Sequence, residues 1–119
     1  MEVRSRDQAD AFTTLDGSTI RVLLDAGLGG ASNQSLAEAS LRPGQATQSH
    51  YHAATEEIYV LLEGEGEMEV DGEVRRVGPG DAILIPPGAR HQIRAERDAA
   101  LRFLCCCAPP YSDEDTFFE

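Results

Sequence analysis

Beyond residue 30, no stretch of this chain keeps a helical hydrophobic period for two turns, whereas short apolar runs recur between glycine and proline turns. Such a chain can bury a core in few ways, because each run is too short to be a helix and must pair with others as a strand. The candidate strands are 34–39, 57–62, 65–70, 73–77, 81–85, 91–94 and 101–107. Asp71-Gly72 is a two-residue hairpin signal, while Gly78-Pro79-Gly80 and Pro86-Pro87-Gly88 mark sharp turns. Residues 19–24 suit either a strand or a short helical turn. Residues 1–18 read as a polar, irregular arm with a turn at Asp16-Gly17, and 109–119 as an acidic tail. The expected class is all-β. With 119 residues and no internal repeat, one domain over 1–119 is expected.

Charge removes several function classes. The formal net charge is −11, lysine is absent and the arginines form no basic patch, which argues against nucleic acid or an anionic membrane as partner. Without lysine, Schiff-base catalysis by a lysine side chain is excluded. No segment approaches the length of an apolar membrane span, and the N-terminal residues lack the apolar core of a signal peptide, so a cytoplasmic location is expected.

The chemistry concentrates on the only three histidines. In a strand alternate side chains share a face, so His50 and His52 point the same way. Two imidazoles and a nearby carboxylate make a borderline-soft nitrogen and oxygen site, and a third imidazole from a neighbouring strand, His91, completes it. Both Glu56 and Glu57 follow His52 at workable spacings.

These residues lie in two motifs. The first runs Gly44, five residues, His50-Tyr51-His52, four residues, Glu57, six residues, Gly64; the second runs Gly80, five residues, Pro86-Pro87-Gly88, two residues, His91. The pair resembles the signature of the cupin superfamily, with the first motif over 44–64 and the second over 80–95. The fifteen residues between Gly64 and Gly80 match its compact members. The second motif usually ends in Asn, where this chain has Ala95, a departure that removes a supporting residue but no ligand. The resemblance implies a single-domain jelly-roll β-barrel and one divalent transition metal per chain (Mn, Fe, Ni, Zn, Co or Cu). It implies His50, His52, Glu57 and His91 as ligands, Glu57 rather than Glu56 because Glu57 stands seven residues before Gly64. It also implies a small-molecule substrate or ligand. Cupins with this ligand set include dioxygenases, isomerases and lyases, and others bind a ligand without turnover. Two functions are therefore carried forward: a metal-dependent enzyme on a small oxygenated metabolite, of dioxygenase or isomerase/lyase type, and a non-catalytic binding or sensing module that holds a metal.

Alternation adds a candidate pocket. Gln48 shares the phase of His50, Tyr59 that of Glu57 and Ile93 that of His91, with Met68 and Phe103 as further lining. Arg21 is the inward-facing arginine candidate, while Arg94 is expected to face out. Cys105, Cys106 and Cys107 are consecutive and read as thiols packed as small hydrophobes, with Cys105 or Cys107 alternatively facing the pocket. The segments 58–62 and 101–107 are apolar on both faces, so their outer face needs a cover. The N-terminal segment or another subunit could supply it; cupins commonly form dimers, and the resemblance makes a homodimer the expectation. Phe117 and Phe118 either fray with the tail or pack on a neighbouring barrel.

Overall fold

At the tip of one hairpin, Asp71 and Gly72 both take positive φ, 48° and 85°, the backbone that a two-residue turn with the strands' own twist demands. That turn joins β6 (Gly66–Val70) to β7 (Glu73–Val77), with Val70 opposite Glu73. In the computed structural model, which describes residues 1–119, the other strands are β1 (Ala11–Thr13), β2 (Thr19–Leu24), β3 (Ser35–Leu41), β4 (Tyr51–His52), β5 (Glu56–Glu63), β8 (Ala82–Ile85), β9 (His91–Ala95), β10 (Leu101–Ala108) and β11 (Thr116–Phe117). Two short 3-10 turns, Arg6–Gln8 and Asp113–Asp115, are the only helical pieces.

The strands form a six-stranded sheet in the order β1-β2-β3-β10-β5-β8, a three-stranded sheet β7-β6-β9 and a two-stranded pair β11-β4. All pairings between strands are antiparallel. This is the all-β jelly-roll arrangement that the turn-punctuated runs predict. The core lies between the large and the three-stranded sheet: Leu41, Tyr59, Leu61, Leu101 and Phe103 from one side meet Met68, Ile93 and Ala95 from the other. Burying a side chain such as Phe103, 1% exposed, contributes about 1.5–3 kcal/mol. Gly64 is fixed by close packing, since a Cβ there would collide with the Ala100 carbonyl.

Four local readings are settled. The arm is not irregular throughout: β1 pairs with β2 around the Thr14–Ser18 turn, a strand too short to show alternation. Residues 19–24 are a strand. The histidine strand is only two residues long, and His50 joins the sheet through a single bridge to His91. The tail does not fray: β11 pairs with β4 and Phe117 stacks on Tyr51 at 5.2 Å. The arm also crosses the outer face of the large sheet, where Arg6 and Arg102 grip the buried Glu38 carboxylate at 3.0 and 3.1 Å. Farther along that face, Ile58 and Leu84 stay 37% and 57% exposed.

Candidate metal centre

Two turns aim the histidines. The Pro86–Gly88 turn closes with Ala89 N–H donating to the Pro86 carbonyl, and Gly88 N–H donates to the His52 carbonyl at 2.6 Å. His50 and His91 then exchange both backbone hydrogen bonds. The result places His50, His52 and His91, all buried, with one ring nitrogen of each within 4.8 Å of the others.

Each ring is held from behind. Nδ1 of His50 donates to the Gln48 carbonyl at 2.7 Å and Nδ1 of His91 to the Ala89 carbonyl at 3.0 Å. Nδ1 of His52 faces the Asp115 carbonyl and the Thr116 hydroxyl, each at 3.3 Å. With the proton on Nδ1, each Nε2 keeps its lone pair for the interior, the usual arrangement of a ligating imidazole.

Glu57 comes from β5 and is 4% exposed. Its Oε1 lies 3.3 Å from His52 Nε2 and 3.4 Å from His91 Nε2. Its Oε2 accepts from the Cys107 thiol at 3.2 Å. Two buried polar atoms have no hydrogen-bond partner, Glu57 Oε1 and His91 Nε2. Atoms of this kind are normally satisfied. Donors about 3.4 Å apart form the edge of a tetrahedron around a cation with bonds of about 2.1 Å, so the residues present fit a divalent metal. Glu56, by contrast, is exposed at the rim.

The electrostatics of the metal-free site agree. Burial works to raise the Glu57 carboxyl, but the His52 and His91 imidazoles beside it more than reverse this and hold it at about 2. Burial works to lower His52, yet Glu57 and Asp115 outweigh it and hold the imidazole above its ordinary value. His50 is held low by burial and by His91. Burial, reinforced by the charge of Glu57, pushes the Cys105 and Cys107 thiols well up, so both are protonated.

A cavity of about 90 Å³ opens on this cluster. His50, His52 and Glu57 form one end, and Phe12, Ile20, Val22 and Phe103 give an apolar wall. Of the pocket residues expected from alternation, Tyr59 and Phe103 border this cavity. Met68 and Ile93 lie in the core between the sheets, away from it. Gln48 is exposed. Alternation fails there because the strand does not reach residue 48, and Thr47 turns inward instead to accept from Ile93 N–H at 3.1 Å. Arg21 does not face inward either; it reaches the Ala9 carbonyl at 2.6 Å. Cys105 and Cys107 line the cavity, while the Cys106 thiol points the other way, toward Gln34. Asp16 and Tyr111 also border it, and nothing in the sequence singled them out; an aspartate in a turn carries no local mark of facing a site formed by residues 50–91.

The fold and this histidine-rich cluster define a small jelly-roll β protein with a cluster that could hold a metal, and the chain belongs to the cupin family: the cupin-domain family profile matches residues 37–107. It is 46% identical over 110 residues to an uncharacterized protein of Methanocaldococcus jannaschii, covering 92% of this chain and 88% of that one. It is 31% identical over 93 residues to the polyketide synthase protein CurC of Streptomyces cyaneus, covering 78% of this chain and 60% of that relative. Among solved structures it is similar to the polyketide cyclase RemF from Streptomyces resistomycificus, with a TM-score of 0.81 and 29% identity, covering 97% of this chain and 89% of that one.

Proposed function

We propose that this chain is a metal-dependent enzyme of isomerase or lyase type that acts on a small, partly apolar, oxygenated metabolite. One divalent transition metal is held by His50, His52, Glu57 and His91. The observation that carries this reading is the pair of unpartnered buried atoms, Glu57 Oε1 and His91 Nε2, among imidazoles already oriented through Nδ1.

A metal bound there supplies Lewis-acid polarisation of an oxygen ligand. The chain's own residues do the rest. The Nδ1 hydrogen bonds fix the tautomers, so the Nε2 atoms need no reorganisation. The Cys107 thiol occupies Glu57 Oε2 and leaves Oε1 for the centre. Phe12, Ile20, Val22 and Phe103 exclude water and match an apolar part of the substrate. The likeness to a polyketide cyclase supports chemistry that rearranges bonds within one molecule. The volume narrows the substrate: about 90 Å³ is well below the roughly 300–1,000 Å³ of sites for drug-sized ligands, which favours a metabolite smaller than a multi-ring polyketide. The reading includes a homodimer in the cytoplasm, supported by the exposed Ile58 and Leu84 and by three free thiols, which suit a reducing compartment.

Elemental analysis followed by turnover assays on a panel of β-diketones, enediols and uronates tests the proposal. We expect one metal per chain and anaerobic turnover of at least one compound, abolished by His50→Ala. Turnover only with consumption of O₂ would move the reaction to the dioxygenase branch. A metal-replete protein that binds a chelating ligand but is inert with and without oxygen would establish the non-catalytic binding module instead.

A further inference from the structure

We propose that Asp16 is the specificity-determining group of the cavity, selecting ligands that carry a hydroxyl donor beside the oxygen that meets the metal. The inference rests on the metal-site reading above and extends it to a residue of the Thr14–Ser18 turn that no motif contains.

The carboxylate is divided in its work. Oδ1 accepts from Ser18 N–H at 2.9 Å and from the Ser18 hydroxyl at 2.6 Å, so the side chain is fixed by its own turn. The Asp16 carbonyl accepts from Gln48 N–H at 2.7 Å. Residue 48 also receives the Nδ1 hydrogen bond of His50, so one backbone unit sets the position of both side chains. Asp16 borders the cavity, and its Oδ2, which makes no hydrogen bond within the turn, lies 3.9 Å from His50 Nε2. That separation is too long for a hydrogen bond and longer than the 3.3–3.4 Å that Glu57 keeps from its histidines. Asp16 therefore stands one step beyond the donor set, beside His50.

The cavity reaches the cluster by the face that carries His50, His52 and Glu57, and His91 does not border it. A ligand that enters there with one oxygen at the cluster meets Oδ2 beside it. Oδ2 can only accept. A neighbouring hydroxyl satisfies it with a charge-assisted hydrogen bond, whereas an ether or ketone oxygen opposes it lone pair to lone pair. The ligand class is thus the enediol, the α-hydroxy ketone or the catechol, rather than the O-alkylated or dicarbonyl counterparts.

Asp16→Asn separates the two oxygens. The amide oxygen can keep both Ser18 bonds while an NH₂ donor replaces Oδ2; Asp16→Ala removes the acceptor altogether. The probes are catechol and 2-methoxyphenol, titrated against cobalt-loaded protein and read from the visible bands of the ion, with metal content measured in parallel. We expect unchanged metal content in both variants. The preference of the wild type for catechol should fall about tenfold or more, the range for a hydrogen bond to a charged group. Loss of metal in folded Asp16→Asn would overturn the inference by making Asp16 a ligand. Undiminished preference in both variants would overturn it as well. A wild type that takes up no metal would overturn the proposed function together with this inference. Metal uptake with no preference for catechol would sink the inference alone.

Discussion

Glu57 is a carboxylate that the fold keeps charged in a place that disfavours charge, and pH exposes the cost of that. In the metal-free protein its folded value of about 2 lies below the ordinary value of 4.5. A group depressed in this way contributes stability that is fully present above the unfolded value and is lost as pH falls through the folded one. His52, held above 6.5, has the opposite sign: its contribution is present below 6.5 and is lost as pH rises through the raised value. Denaturant titrations of the metal-free protein should therefore show stability falling between about pH 4.5 and 2, and again above 6.5. Glu57→Gln should flatten both limbs, because His52 loses the carboxylate that raises it. A wild-type profile no steeper than that of the variant would mean that the pair is not formed in solution.

Among the elements, β11 has the greatest reach for its size. The Asp115 carboxylate that precedes it accepts from the backbone N–H groups of Ala53, Ala54 and Thr55, each at 3.1 Å, while its carbonyl faces His52 Nδ1. Asp115→Ala should leave His50, His52, Glu57 and His91, the proposed ligands, in place yet weaken metal binding by about 10–100-fold, the usual cost of losing a group that orients a ligand. Competition with a chromophoric chelator would measure it, and an unchanged affinity would show that the loop holds itself. Asp115 also shows where sequence reading stops. That His50, His52 and His91 gather beside Glu57 was legible, because spacing within two short motifs sets which side chains a strand and a turn bring together. Asp16, Tyr111 and Asp115 were not, because β1-β2 and β11-β4 pairing brings them in from distant sequence, and no local pattern marks that. Gln48 failed for a related reason: the two-residue period holds only while a strand lasts, and β4 lasts two residues.

For the molecule as a whole, the large sheet turns one face to the core and shows the other to solvent. The arm covers the Glu38 end of that outer face, and Ile58 and Leu84 remain exposed beyond it. A homodimer that buries more than about 1,000 Å² in total would cover the remainder. Light scattering at micromolar concentration should give twice the chain mass, and Ile58→Glu should give the monomer. A wild-type monomer would leave the arm as the only cover this face has. The general outline of the sheet was predictable from its runs and turns, whereas the path of the arm was not, since Arg6 finds Glu38 across 32 residues with no apolar pattern to announce it.

The order of strands in the large sheet has a consequence for how the molecule comes into being. β10 sits between β3 and β5, pairing with both, although it is made after nine other strands. During synthesis the first half of the chain therefore has two sheet edges and no centre. Neither can close until residues 101–108 have left the ribosome, and His52 has no orienting partner until residues 115–116 have followed. Long-range pairing of this kind is slow to form. On the proposed metal reading, the ion is accordingly taken up only after residues 115–116 have paired, and is not a nucleus around which the chain folds.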